Sequence, residues 1–201
     1  MKRQYGKITQ RIVALMLGVL LTLGSVAQAA VNTAIGDINS DPLALGDSNP
    51  FTLNTSAPTL IKTAFLTSDF SPLADNDVLP AGTSVDFLIY LNNEADVDID
   101  DVGIIDALVG FTYVGGSLRV LNTTAECAAT LCTTGVGSEE ETIYNDARLA
   151  PAAVMTDAGG DDEASESGGT IEVGNNVTLG NTQQNAVANT VLALVFTATI
   201  D

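Results

Sequence analysis

Histidine and tryptophan are absent from the 201 residues, and cysteine occurs only twice. Without histidine there is no imidazole to serve as base in a Ser-His-Asp or Cys-His arrangement, or to ligate a metal. Basic residues are few and unevenly placed. Four of the seven, Lys2, Arg3, Lys7 and Arg11, precede residue 12, and the other three are Lys62, Arg119 and Arg148. All 25 acids lie beyond residue 29, so residues 30–201 carry a formal charge of −22. A chain this acidic is expected to repel nucleic acid and anionic membranes.

The early bases precede an apolar run, Ile12 to Val26, that ends in Ala27-Gln28-Ala29. Basic head, apolar centre and A-x-A exit predict a secretory signal peptide over residues 1–29. A membrane-spanning helix needs about 20 apolar residues, more than this run supplies. A prepilin cut after Gly6 calls for Glu five positions later, where Arg11 stands. The expected location is therefore secreted, extracellular or at the cell surface, with no membrane contact after cleavage. Export also decides the reading of Cys127 and Cys132. Two cysteines in an exported chain predict a disulfide. They lack the Cys-x-x-Cys spacing of a redox pair, and a zinc site needs two further soft ligands. So short a loop pins a turn rather than joining distant parts.

Residues 30–57 are rich in Asn, Asp, Ser, Thr and Gly, with alternating apolar pairs at Leu43 and Leu45 and at Phe51 and Leu53. This reads as an extended N-terminal arm. From residue 58 the texture is that of strands and turns. Strands are expected at 59–66, 84–92, 96–100 and 104–106. Val85, Phe87, Ile89 and Leu91 share one face at period two. Val97 and Ile99 are expected to point inward, with acids outward. Gly115-Gly116 between Phe111–Val114 and Ser117–Asn122 predicts a hairpin. Residues 141–144 read as a short strand and 147–155 as the one short helix, weakened by Pro151. Residues 157–169 read as an acidic surface loop. Further strands are expected at 170–173, 176–179 and 189–200. The pattern as a whole is that of an all-β sandwich over residues 58–201.

Residues 79–93, Leu-Pro-Ala-Gly-Thr-Ser-Val-Asp-Phe-Leu-Ile-Tyr-Leu-Asn-Asn, are followed by Val-Gly-Ile-Ile-Asp-Ala-Leu at 102–108 and Gly-Phe-Thr-Tyr-Val-Gly-Gly-Ser at 110–117. This stretch resembles the conserved-repeat domain of bacterial and archaeal surface proteins. The resemblance implies an Ig-like Greek-key β-sandwich, a structural role outside the cell and no catalytic residues. The chain departs from the family pattern where Val109, not Pro, follows Leu108, and in carrying one copy rather than several.

Carboxylates are too common here for any pair to stand out as a glycosidase acid and nucleophile. No catalytic residue is assigned and no enzyme is expected. Calcium, which takes six to eight oxygens, is the one cofactor with candidate ligands. These are Asp96, Asp98, Asp100 and Asp101, and then Asp157, Asp161, Asp162 and Glu163. Against that stands a plain solvated acidic surface, which also guards strand edges against pairing. Asp37 to Asp41 opens like an EF-hand loop, but Pro42 and Ser48 stand where Gly and Glu are required. Asn54, Asn122 and Asn176 begin glycosylation sequons. Chance alone supplies about 2.5 in so Asn- and Thr-rich a chain, so their number carries no weight. Two functions fit these features. One is a self-assembling filament or surface-layer subunit whose arm, through Leu43, Leu45, Phe51 and Leu53, adds a strand to a neighbour. The other is a monomeric cell-surface adhesion module or calcium-dependent binding module. Expected partners are copies of the chain itself and other envelope proteins.

Overall fold

Ten consecutive residues, Ser84 to Asn93, alternate bulky side chains on both faces, and eleven more do so from Thr190 to Ile200. Such runs suit the middle of a sheet covered on both sides. In the computed structural model these two strands, β4 (Ser84–Asn93) and β11 (Thr190–Ile200), pair antiparallel over ten residues, from Thr190↔Asn93 to Thr199↔Ser84. The structure describes residues 29–35, 48–54, 60–123, 127, 131–149 and 153–201. Residues 1–28 of the expected signal peptide lie outside these, as do Leu43 and Leu45. Among the described residues no helix is long and apolar enough to cross a membrane.

The chain divides into two compact units, Met1–Ala57 and Pro58–Asp201. In the first, β1 (Ala29–Ile35) pairs antiparallel with β2 (Ser48–Asn54), from Ala29↔Asn54 to Ile35↔Ser48. The segment expected as an arm thus contains a two-stranded ribbon, with Phe51 opposite Asn32 and Leu53 opposite Ala30.

The second unit is built from two antiparallel sheets. In the larger, the order is β3 (Leu60–Leu66), β4, β11, β7 (Arg119–Thr123) and β8 (Ala153–Val154), and β6 (Phe111–Tyr113) also pairs with β11. The smaller has β5 (Ile104–Ala107), β10 (Thr170–Val173) and β9 (Ala164–Ser167). Val85, Phe87, Ile89, Leu192, Leu194 and Phe196 from the large sheet share one buried core with Ile104, Ala164, Ile171 and Val173 from the small one. The other face of the large sheet is covered by helix α1 (Glu139–Arg148). There Phe65, Leu88, Tyr90, Val191 and Val195 pack with Ile143, Tyr144, Ala147 and the two cysteines.

Several expectations need correction. Residues 141–144 are helical, not a strand, and the helix stops at Arg148 rather than occupying 147–155. Capping explains the shift. The Ser138 hydroxyl accepts from the Glu141 amide at 3.2 Å, and the Glu141 carboxylate accepts from Gly137 N–H. Three glutamates open the first turn and Arg148 closes the last, matching the helix dipole. Residues 96–100 form only an isolated bridge, Ile99 with Ala186, and Val97 is exposed. Residues 176–179 are a turn with Leu179 exposed. The acidic stretch 157–169 contains β9, whose hairpin to β10 turns at Gly168-Gly169.

Gly115-Gly116 makes no hairpin. β6 and β7 run one after the other along the same side of β11, Tyr113 opposite Ala198 and Arg119 opposite Val195. Six steps on one strand therefore face three on the other, and residues 114–118 are looped out. At Gly168 and Gly169, φ is +59° and +81°. Two consecutive positive values are what a type I′ turn requires, and glycine reaches them without strain.

Candidate functional site

The eight acids considered for calcium fall in two separate places, and most already hold the fold's own groups. In the connection after β4, Asp96 accepts from Asn189 Nδ2 at 3.3 Å and Asp98 from the Ala188 amide at 2.8 Å. Asp100 is exposed. Asp101 sits at φ +55°, its amide donating to Asn185 Oδ1 and its carbonyl accepting from Asn176 Nδ2. Together these groups tie the β4–β5 connection to residues 185–189. In the second place, Asp157 accepts from Tyr113 Oη at 2.6 Å and from Gly116 N–H at 2.9 Å, bracing the looped-out segment. Asp161 accepts from Thr156 Oγ1, and Asp162 from the amides of Thr156 and Ala164. The Glu163 carbonyl accepts from Gly174 N–H. Among the described residues, no three Asp, Glu or Cys side chains gather as a metal-ligand group. Burial, followed by the hydrogen bond to Asp157, pushes the Tyr113 phenol up to about 12.

Cys127 and Cys132 are joined by a disulfide with Cα atoms 4.9 Å apart. Both are buried against the helix-covered face, and the Cys127 amide donates to Asn92 Oδ1. Of the sequon asparagines, Asn54 ends β2 and Asn176 is exposed. Asn122, in β7, uses both ends of its amide: Nδ2 donates to the Asn185 carbonyl and Oδ1 accepts from Val187 N–H.

Two buried carboxylates went unnoticed in the sequence. Asp86 lies on the helix side of β4 and accepts from Tyr144 Oη and Thr197 Oγ1, each at 2.6 Å, and from Thr67 Oγ1 at 3.2 Å. Glu140, in the first turn of α1, accepts from Tyr90 Oη at 3.2 Å. Burial raises the Glu140 carboxyl above its usual value, against the opposing pull of hydrogen bonds from Tyr90 and Thr63. These bonds fasten the helix to the sheet. A polar residue inside an apolar run was the available signal: Asp86 interrupts Val85 and Phe87.

A concave feature lies elsewhere in this unit, at the β3 end of the large sheet. A groove of about 700 Å³ opens between β3 and the loop at 73–79, lined by Ala64, Leu73, Val85, Phe87, Phe111 and Ile200. Phe87 and Phe111 meet edge to face with centroids 5.1 Å apart. Lys62 stands at the mouth, its ammonium 4.3 Å from the Phe87 ring centre and 2.7 and 2.8 Å from the two Asp106 oxygens. Lys62, Thr63 and Ala64 of β3 line this groove, whereas Ile61 and Phe65 pack on the helix side. Ala64 lies opposite Phe87 in the ladder, and its small side chain leaves the space open. Among the described residues β3 is an edge strand: β4 flanks one side, and the other carries only the bridge from Phe65 to Pro72. At the groove end of β3 the outer backbone groups are already used, the Ala64 carbonyl accepting from Leu73 N–H at 2.8 Å and Leu66 N–H donating to the Ser71 carbonyl at 2.9 Å, so the part of the edge without a neighbour among the described residues is its beginning, at Leu60 to Lys62. No family model, no curated protein and no solved structure matches this chain.

Proposed function

We propose that this is a secreted extracellular structural protein, a filament or surface-layer subunit whose copies link by strand addition. Residues 58–201 are read as an Ig-like Greek-key sandwich and residues 1–29 as a cleaved signal peptide. The observation that carries the reading is the edge strand β3 beside its apolar groove. Unpaired edges template association unless they are blocked or used. Support comes also from the ribbon β1–β2, because two strands alone are at best marginally stable in water. A chain without histidine, tryptophan or an evident catalytic constellation suits a structural role.

The test is deletion of residues 30–53 behind the intact export signal, with microscopy of the secreted product and circular dichroism side by side. The expected product keeps its β-rich spectrum and forms no filaments. Filaments as abundant as those of the whole chain would eliminate strand donation from this segment. Wild-type protein that stays monodisperse at every concentration would favour an adhesion module instead.

A further inference from the structure

We infer that the turn at residues 156–162, together with Asn181 beneath it, forms a cation site that takes a hard divalent ion of calcium's size. The inference is independent of the assembly reading above.

A buried oxygen carries it. Asn181 is only 4% exposed, and its side-chain oxygen Oδ1 accepts from no group among the described residues. The other end of the same amide is used twice: Nδ2 donates to Ser165 Oγ at 3.1 Å and to the Glu172 carbonyl at 3.4 Å. Turning the amide over would set Oδ1 against that carbonyl, so the oxygen is held where it is. A buried acceptor is costly to leave alone and calls for a donor or a cation.

This oxygen is aimed into the acidic turn. A side-chain carbon placed on Gly159 would stand 3.7 Å from Asn181 Oδ1 and 3.9 Å from Ser165 Oγ. The Thr182 amide donates to the Asp162 carbonyl at 2.7 Å, which keeps the segment around Asn181 against the turn. The turn itself gathers oxygens around Thr156. Its hydroxyl lies 2.7 Å from Asp161 Oδ1 and 3.3 Å from the Ala158 carbonyl, and its amide donates to Asp162 Oδ2 at 2.7 Å. Gly159, Gly160 and Asp161 are exposed, so an ion reaches the turn from solvent and keeps part of its water.

Charge decides between a cation and a water molecule. Asp157, Asp161, Asp162 and Glu163 put four carboxylates within seven residues. Among the described residues the one ion pair is Lys62 with Asp106, far from this turn in the chain. A water would satisfy Asn181 and leave that field uncompensated, whereas a dication answers both. The groups on offer are all oxygens: the Asn181 amide, the Asp161 and Asp162 carboxylates, the Thr156 hydroxyl and backbone carbonyls. Calcium accepts such a mixture in flexible geometry, where magnesium demands a near-ideal octahedron. With two carboxylates offered, the expected affinity is that of extracellular calcium modules, a Kd on the order of 10⁻⁴–10⁻³ M.

The experiment titrates calcium chloride into full-length secreted protein freed of metal by a chelator, read by calorimetry and by melting temperature. Magnesium chloride and sodium chloride at matched ionic strength are the other arms. One calcium per chain is expected, with a rise in melting temperature that neither other salt reproduces. Two variants locate the ion. Gly159 has no positive φ, and an added methyl meets nothing closer than 3.7 Å, so Gly159→Ala should fold as wild type while setting a carbon over Asn181 Oδ1. Asp161→Asn removes one charged ligand at an exposed position. Each should weaken calcium binding about tenfold or more, and Asp100→Asn, which removes the same charge from the other acidic stretch, should not. If circular dichroism shows Gly159→Ala unfolded, Asp161→Asn against Asp100→Asn decides alone. Equal responses to all three salts would reduce the turn to a screened acidic surface and overturn the site. So would calcium binding that Asp161→Asn leaves intact, or none below about 10 mM.

Discussion

Between the two sheets of the second unit, Val85, Phe87, Ile89, Leu192, Leu194 and Phe196 meet Ile104, Ile171 and Val173 in an apolar core. Across the same strands, the helix side mixes Leu88, Val191 and Val195 with Tyr90, Tyr144 and the disulfide. It also holds the carboxylates of Asp86 and Glu140. The first core is held by area, which scales with apolar surface removed from water and has no direction. The second adds bonds that exist at one geometry only. Phe65 stacks on Tyr144 with centroids 3.9 Å apart and planes 3° from parallel, while Tyr144 donates to Asp86. Hydrocarbon contact alone lets a ten-residue helix slide and rotate on a sheet. Hydroxyl-to-carboxylate bonds fix where it sits, because an unmade buried bond is costly.

The largest effect belongs to the apolar side. Leu194 is almost wholly buried, and Leu194→Ala should cost about 3–5 kcal/mol of unfolding free energy by urea titration. A loss below about 1 kcal/mol would mean that this core collapses around the gap, and the contrast between the faces would fail. On the helix side, Asp86→Ala leaves the hydroxyls of Tyr144 and Thr197 without their acceptor, and about 2–3 kcal/mol should be lost. Asp86→Asn, which keeps one acceptor oxygen, should recover part of that. Equal losses for the two variants would show that the site is stabilised by volume rather than by bonding.

A smaller effect is expected where the helix begins. Ser138→Ala removes the cap and should cost about 1 kcal/mol. Hydrogen exchange should quicken in residues 139–148 and stay unchanged in β4 and β11. Acceleration throughout would mean that the helix and the sheet open as one unit. The smallest effect is on pH dependence. The Glu140 carboxyl is raised in the folded state by burial. The folded chain therefore holds this proton more tightly than the unfolded chain does. The stability gained is full below the ordinary glutamate value of 4.5 and is lost as pH rises through the folded value. Glu140→Gln should flatten that decline, so melting temperatures of variant and wild type should move apart in the variant's favour between acid and neutral pH. A constant difference across that range would indicate that Glu140 does not titrate in this window.

The two Gly-Gly pairs mark where sequence reading reached its limit. Gly115-Gly116 lies between β-rich runs and looked like a hairpin; Gly168-Gly169 sits in an acidic stretch and looked like loop. The structure reverses these roles. Local composition is similar at both, and the difference lies in pairing partners far along the chain. β6 and β7 pair with β11, far along the chain, whereas β9 and β10 pair with each other. The helix, by contrast, was legible in principle: Ser138-Glu-Glu-Glu141 ahead of Ile143 and Tyr144 is a capping signal. The β-branched and aromatic residues at 142–144 argued for a strand, and the cap prevailed. The alternation through Val97 and Ile99 failed because acids tie that segment to residues 185–189 as a braced loop instead of a ladder.

The sequence by itself determined the all-β character, the positions of β3, β4, β10 and β11, and the apolar face of β4. It also marked the pairing of Cys127 with Cys132. All of these follow from period-two hydrophobicity or from residues close in the chain, where the physics is local. Only the tertiary structure decided which strand lies at the sheet's edge, how β6 and β7 share one partner, and that Asp157 serves a tyrosine and a backbone amide. It alone placed Ala64 opposite Phe87 so that a groove remains. Those outcomes depend on contacts between residues tens of positions apart. Their energies are set by which surfaces happen to meet, and no window along the chain contains that information.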